Sequence, residues 1–146
     1  MLVKEFLKNR NRAVITGKPS MSILEAMQLL VSNRISSLPV LDESGKLKGI
    51  VSDRDIFRSI TVDNNAFKNL LVSDLMTTHL IIGVPDDDLG YIGSVMTKNH
   101  IRHIPIVEND KLVGLVSVGD VVKSHIDSIE VENRYLMNYI SGDYPG

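Results

Sequence analysis

Along residues 22–33 the apolar side chains Ile23, Ala26, Met27 and Leu30 fall three and four apart, the stripe of an amphipathic helix. Ser22 followed by Glu25 has the spacing of a capping box and marks where that helix begins. Two short apolar runs, 38–41 and 47–51, flank a turn made by Asp42-Glu-Ser-Gly45 and predict a pair of strands. A second helix starts at Ser52. Upstream, the apolar run 13–15 predicts a short strand that enters a turn containing Gly17 and Pro19.

The same order returns further on. An apolar run at 80–82 predicts a strand before Gly83 and Pro85, and a helix carrying Gly90 and Gly93 follows. Each of those glycines costs about 1 kcal/mol relative to Ala unless a neighbour packs closely there. Asp86, Asp87 and Asp88 occupy its first turn, where negative charge suits the helix dipole. Strands at 104–107 and 112–116 precede a helix from Ser117. The register is shared as well as the order: Lys46-Leu-Lys-Gly-Ile-Val-Ser-Asp-Arg-Asp55 aligns with Lys111-Leu-Val-Gly-Leu-Val-Ser-Val-Gly-Asp120. Asn33-Arg-Ile-Ser-Ser-Leu-Pro-Val40 aligns with Asn99-His-Ile-Arg-His-Ile-Pro-Ile106 in the same way.

These alignments predict a mixed α/β (α+β) fold of two tandem repeats, each strand, helix, strand, strand, helix, related by a pseudo-twofold axis. Repeat 1 with the N-terminal segment spans 1–68, repeat 2 spans 69–127, and a C-terminal helix and tail span 128–146. Units of about 60 residues are small for independent domains, so the two are expected to pack as one module around one shared core. In the tail, Ile126, Ile129, Leu136 and Ile140 lie near one face of a helix, a surface suited to a homodimer contact or to packing on the module itself. The residues after Ser141, with Gly142, Pro145 and Gly146, should fray.

Composition narrows the function. Lys and Arg number 16 against 18 Asp and Glu, a net charge of -2, which disfavours a dedicated nucleic-acid binder. There is no cysteine, which removes thiolate metal sites, disulfide scaffolds and Cys nucleophiles and fits a reducing compartment. No run has the length of a membrane span and the first twelve residues mix basic with apolar, so no membrane association is expected and the cytoplasm is the default location.

Chemistry is concentrated in the repeated Gly-apolar-apolar-Ser-x-x-Asp. It puts Ser52 and Ser117 at helix N-caps and Asp55 and Asp120 one turn further on. Helix N-terminal amides attract phosphate, the hydroxyl can donate to it, and the carboxylate can accept from both hydroxyls of a ribose. Plain capping would explain one copy; recurrence at equivalent positions favours a shared ligand. Arg54, Arg102 and His103 add basic groups nearby, whereas the counterparts of the last two are Ser36 and Ser37, so two unequal sites are expected. His100 and His103 lack further ligands at a metal-binding spacing, and no metal site is expected. A nucleophile elbow and a Lys-bearing phosphate loop are both missing, which leaves binding without turnover.

With those residues in view, residues 10–127 resemble a tandem pair of CBS domains, a Bateman module, of the small prokaryotic kind that carries no attached enzyme. The resemblance implies a ligand-sensing regulatory module with clefts for adenosine-containing nucleotides, AMP, ADP or ATP, with NAD as an alternative, and no required cofactor. It implies ribose binding by Asp55 and Asp120, and phosphate or hydroxyl contacts from Ser52, Ser117, Arg54, Arg102 and His103. By the same likeness Thr16, Ser37, Leu38, Pro39, Ile82, Ile104 and Pro105 line the adenine pockets. Ser36 and Ser37 depart from the basic residues usual there, which implies weak polyphosphate binding beside Asp120. A homodimer and an unidentified regulated protein are the implied partners; a dimeric adaptor with vestigial clefts is the competing function.

Overall fold

The structure, a computed structural model, describes residues 1–141, with 66, 67 and 141 described by their backbone alone. The segment expected to fray beyond Ser141 lies outside the described residues. In chain order the elements are α1 (Val3–Arg10), α2 (Ile23–Asn33), β1 (Ser37–Leu41), β2 (Leu47–Ser52), α3 (Asp53–Val62), α4 (Ala66–Asn69), α5 (Val72–Leu75), α6 (Leu89–Asn99), β3 (His103–Glu108), β4 (Lys111–Ser117) and α7 (Val118–Ser141).

Each repeat is a helix, an antiparallel hairpin and a second helix. In the hairpins Ser37 pairs with Ser52 and His103 with Ser117, and both ladders slip by one residue, at Val40/Leu41 and Ile106/Val107. The first turn is held by Asp42, whose Oδ1 accepts from the amides of Ser44 and Lys46 at 2.9 Å each, with Gly45 at φ 83°. The second is one residue shorter, with Asn109 and Asp110 both left-handed, so the slip between the repeats is absorbed in a turn.

The strands expected at 13–15 and 80–82 are not formed. Their place is taken by single parallel bridges two and one residues later, Gly17 with Val40 and Gly83 with Ile106. A Cβ on Gly83 would lie 2.8 Å from Ile92 Cδ1 and 2.9 Å from Ile106 Cδ1, so a larger residue here would push on the ends of two core side chains. In α6, a Cβ on Gly93 would meet Val121 Cγ1 at 2.8 Å, so this glycine buys the α6–α7 contact that offsets its poor helix propensity.

The single shared core expected from the size of the repeats is in fact two. Ile23, Ala26, Leu30, Leu38, Val40, Val51, Ile56 and Val72 form one buried cluster; Val3, Leu89, Ile92, Met96, Ile104, Ile106 and Val116 form the other. Each is completed by a segment that precedes the opposite repeat. Val72 of α5 enters the core of repeat 1, and Val3 of α1, which the hydrophobic pattern did not predict as a helix, enters the core of repeat 2. The two insertions share their hydrogen bonds. Val3 and Lys4 donate to the carbonyls of Asp87 and Pro85, as Val72 and Ser73 do to those of Met21 and Pro19. Glu5 and Asp74 each accept from the amide three residues back, at 2.9 and 2.8 Å. Each half thus lends the other one segment of its core.

The tail is not a separate helix. Residues 126–140 continue the second helix of repeat 2, so α7 runs 24 residues without a break across the boundary expected at 127/128. Beyond Ile126 its apolar side chains stand exposed, Ile140 at 78%.

Candidate functional site

Two clefts lie between the repeats, and each combines the serine and aspartate of one repeat with a loop of the other. The larger, about 700 Å³, is lined by Leu115, Ser117 and Asp120 of repeat 2 and by 33–37 of repeat 1, with Arg10, Arg12 and the apolar run 13–15. The smaller, about 240 Å³, is lined by Ile50, Ser52, Arg54, Asp55 and Arg58 of repeat 1 and by His79, Leu80, Ile81 and 100–103 of repeat 2, with Pro105. His103 forms a wall of both.

The loops turn into the clefts for the same reason. α2 and α6 end on Arg34 and His100, both left-handed at φ 54°, a conformation that costs a non-glycine residue about 1 kcal/mol or more. It sends the next residues across the mouth of the cleft instead of along the helix axis.

At the other wall the motif caps its helix in both copies. Ser52 Oγ accepts from the Asp55 amide at 3.2 Å, and Asp55 Oδ2 accepts from the Ser52 amide at 2.9 Å and from its hydroxyl at 3.0 Å. Ser117 Oγ accepts from the Asp120 amide at 3.1 Å, and Asp120 Oδ2 from the Ser117 amide at 2.8 Å. Capping and ligand recognition are thus compatible: one carboxylate oxygen fixes the turn while the carboxyl group faces the cleft.

The second copy has an addition that sequence reasoning missed. Arg10, at the end of α1, donates through Nη1 to Asp120 Oδ2 at 3.0 Å and through Nη2 to the Leu115 carbonyl at 2.9 Å, with its guanidinium 5.2 Å from the Phe6 ring centroid. Arg10 Nε and Ser37 Oγ are buried and have no hydrogen-bond partner among the described residues.

Of the residues expected to make polar contacts, Asp55, Ser52, Arg54 and Arg102 come together in the smaller cleft, Asp120 and Ser117 in the larger, and His103 between them. Arg102 pairs with Asp53 at 3.1 Å on an exposed edge. His103 Nε2 lies 3.0 Å from Ser36 Oγ, which joins the repeats at the shared wall. Burial holds the pKa of His103 below its ordinary 6.5, reinforced by the Arg102 cation and opposed by Asp53 and Asp120.

The residues expected around an adenine divide. Ser37 and Pro105 line clefts. Leu38 and Ile104 are fully buried in the two cores, because strand alternation turns them away from the cleft when Ser37 and His103 face it. Thr16, Pro39 and Ile82 stand outside both linings, and the apolar wall is made by Val14 and Ile15 in one cleft and Leu80 and Ile81 in the other. Arg12, Arg34, Arg58, His79 and His100 also line the clefts without having been expected there. A signal for Arg10 was available: Leu2-Val-Lys-Glu-Phe-Leu7 matches Leu71-Val-Ser-Asp-Leu-Met76 in type, at an offset of 69 that the neighbouring offset of 66 conceals.

Among the described residues no helix is long and apolar enough to cross a membrane, and no three His, Asp or Glu side chains are grouped to hold a metal ion.

Known proteins share this arrangement. The chain is 34% identical over 115 residues to the CBS domain-containing protein YhcV of Bacillus subtilis, covering 79% of this chain and 81% of that one. It is 32% identical over 127 residues to the mitochondrial CBS domain-containing protein CBSX3 of Arabidopsis thaliana, covering 84% of this chain but only 62% of that relative's length. The crystal structure of the CBS-domain protein ATU1752 from Agrobacterium tumefaciens superposes with a TM-score of 0.81 at 32% identity, covering 86% of this chain and 99% of that one. The CBS domain pair of MJ0100, solved with 5′-methylthioadenosine and S-adenosyl-L-methionine, superposes at 0.77 with 29% identity, covering 88% and 98%. CBSX2 in complex with AMP superposes at 0.72 with 28% identity, covering 86% and 96%. The CBS-domain pattern itself matches twice, at 3–62 and 72–127, and the chain belongs to the CBS-domain family as a tandem pair.

Proposed function

We propose that the chain is a non-catalytic regulatory module that binds adenosine nucleotides, AMP, ADP or ATP, between its repeats and passes their occupancy to a partner protein. The observation that carries this reading is the pairing, in both clefts, of an N-cap serine and aspartate with a basic loop from the opposite repeat. The carboxylate accepts from ribose hydroxyls, the helix N-terminus and arginines meet phosphate, and the apolar run beside them receives the base. The ligands of the MJ0100 and CBSX2 complexes share adenosine and differ beyond it, as expected of a site that reads ribose and base first.

A ligand held by both repeats stabilises their relative placement by mass action, which gives a partner two surfaces to distinguish. Asp55 and Asp120 each hold an N-cap amide through Oδ2 and, in this reading, take ribose hydroxyls as well, so both serve binding without turnover. A homodimer through α7 fits the same module. Val122, Ile126, Ile129, Leu136 and Ile140 repeat at coiled-coil spacing, with Asn133 at one seam position and His125 and Glu130 placed to pair across a parallel copy.

Mass spectrometry of the small molecules released on denaturing the purified protein, followed by calorimetry, tests the reading. An adenine nucleotide is expected; NAD in its place would move the specificity to the dinucleotide. No binding of AMP, ADP, ATP or NAD, with a melting temperature unchanged by each at saturation, overturns the sensor and leaves a dimeric scaffold.

A further inference from the structure

The serines at 36 and 37 implied weak phosphate binding beside Asp120, yet the larger cleft is lined by three arginines drawn from other positions, Arg10, Arg12 and Arg34. Arg10 comes from the helix preceding repeat 1, and Arg34 is the left-handed cap of α2. Asp120 is the one carboxylate in the lining. Arg10 uses it now: its Nη1 and the Ser117 amide converge on the same oxygen, Oδ2. Asp55, by contrast, accepts only from Ser52 among the described residues. Oδ1 of Asp120 accepts from no described residue, but a ribose that takes both carboxylate oxygens with its two hydroxyls competes with Arg10 for Oδ2, and that competition has no counterpart in the smaller cleft.

Competition of this kind penalises a ligand that brings a ribose alone. A ligand that also brings phosphates offers the displaced guanidinium a charge-assisted, bidentate acceptor in exchange. Arg10 is suited to such an exchange, because Nε is buried without a partner and Ser37 Oγ, 2% exposed, waits unpaired in the same lining. The volume is also about three times that of the smaller cleft, room for a longer ligand.

Resting on the nucleotide reading above, we infer that the Asp120 cleft is a nucleoside di- or triphosphate site in which Arg10 exchanges Asp120 for phosphate, with Arg12 and Arg34 completing the anion cluster. The exchange ties α1, whose last turn carries Arg10, to the phosphate content of the ligand.

The test is calorimetry on the full chain with Asp55→Asn, which leaves the Asp120 cleft as the measured site, using ATP and adenosine as probes. ATP is expected to bind more tightly than adenosine by at least about tenfold. Arg10→Met keeps the apolar stem over Phe6 and removes the charge. It should tighten adenosine, freed from competition, weaken ATP, and so reduce the ATP-to-adenosine ratio by at least about tenfold. Arg10→Lys should restore part of that ratio. Should Arg10→Met fail to fold, Arg12→Gln with Arg34→Gln, both at exposed positions, should lower ATP affinity and leave adenosine unchanged. A ratio unchanged within about twofold in these variants overturns the inference. So does loss of all binding in Asp55→Asn when the unaltered chain still binds, a result that spares the nucleotide reading. Absence of any adenosine ligand on the unaltered chain instead removes that reading and this inference together.

Discussion

The edge carbonyls of Ile50 and Leu115 stand at equivalent places in the two repeats and are satisfied in different ways. In repeat 1, α5 ends after one turn, the chain runs on extended, and Thr77 and Ile50 exchange backbone hydrogen bonds at 2.8 and 3.0 Å. In repeat 2, α1 continues to Arg10, so its backbone has turned away, and the Arg10 side chain reaches back to the Leu115 carbonyl and to Asp120. One extra helical turn thus replaces a main-chain bridge with a charged side chain. Two clefts built from the same motif differ in electrostatics by this route, in addition to the exchange of Arg102 and His103 for Ser36 and Ser37 in their loops.

The strongest way to break that comparison is to remove the carboxylates separately. Asp55→Asn and Asp120→Asn should each cost on the order of 1–3 kcal/mol of nucleotide affinity at the altered cleft, read by calorimetry as loss of one class of site. Equal loss at both clefts from either variant would make them a single site.

Core variants ask whether the two buried clusters fail together. Leu30→Ala and Met96→Ala, at equivalent positions in α2 and α6, should each destabilise by about 2–5 kcal/mol. Because α1 and α5 cross between cores, each should lower one cooperative melting transition. Two separated transitions would show independent halves.

Acid acts at the wall the clefts share. Below its ordinary pKa of 6.5 and above its lowered folded value, His103 binds a proton in the unfolded chain that the folded chain refuses. Stability there rises with pH, by at most about 1.4 kcal/mol per pH unit, is fully present above 6.5 and is lost as pH falls through that window. Melting temperature against pH should lose this slope in His103→Gln.

The smallest contrast lies in the helix caps. Ser22 Oγ accepts from the Glu25 amide at 3.1 Å and Asp88 Oδ1 from the Gly90 amide at 2.8 Å, so Ser22→Ala should cost about 1 kcal/mol in a denaturation series and Asp88→Ala should lower the midpoint in the same direction. Asp88 has a further role: the Gly90 amide and the Met1 ammonium hold its carboxyl below the usual range. Its loss should therefore also depend on salt.

Local features were legible in the sequence. Helices α2, α3 and α6, the start of α7, the hairpins and the Ser/Asp caps follow from periodicity and short-range capping, whose causes lie within a few residues of each other, whereas α1, α4 and α5 were not predicted. What escaped depends on distance along the chain. Arg10 meets Asp120 across 110 residues, and the role of α1 is visible only once Val3 is placed in the opposite core. Ile126 to Ile140 carried the right helical stripe, but nothing in periodicity says whether a helix starts afresh or continues from the one before. Leu38 and Ile104 were assigned to the clefts with their neighbours, although alternate residues of a strand face opposite ways.

The crossing of α1 and α5 also bears on origin. A single repeat with its own preceding segment cannot close its own core, because that segment serves the other repeat. A half-length ancestor would have been complete only as a segment-exchanged pair of identical chains. Duplication within one gene would then have replaced an encounter between two molecules by a tether, at an effective concentration on the order of millimolar, and freed one copy to lengthen its exchanged helix by a turn.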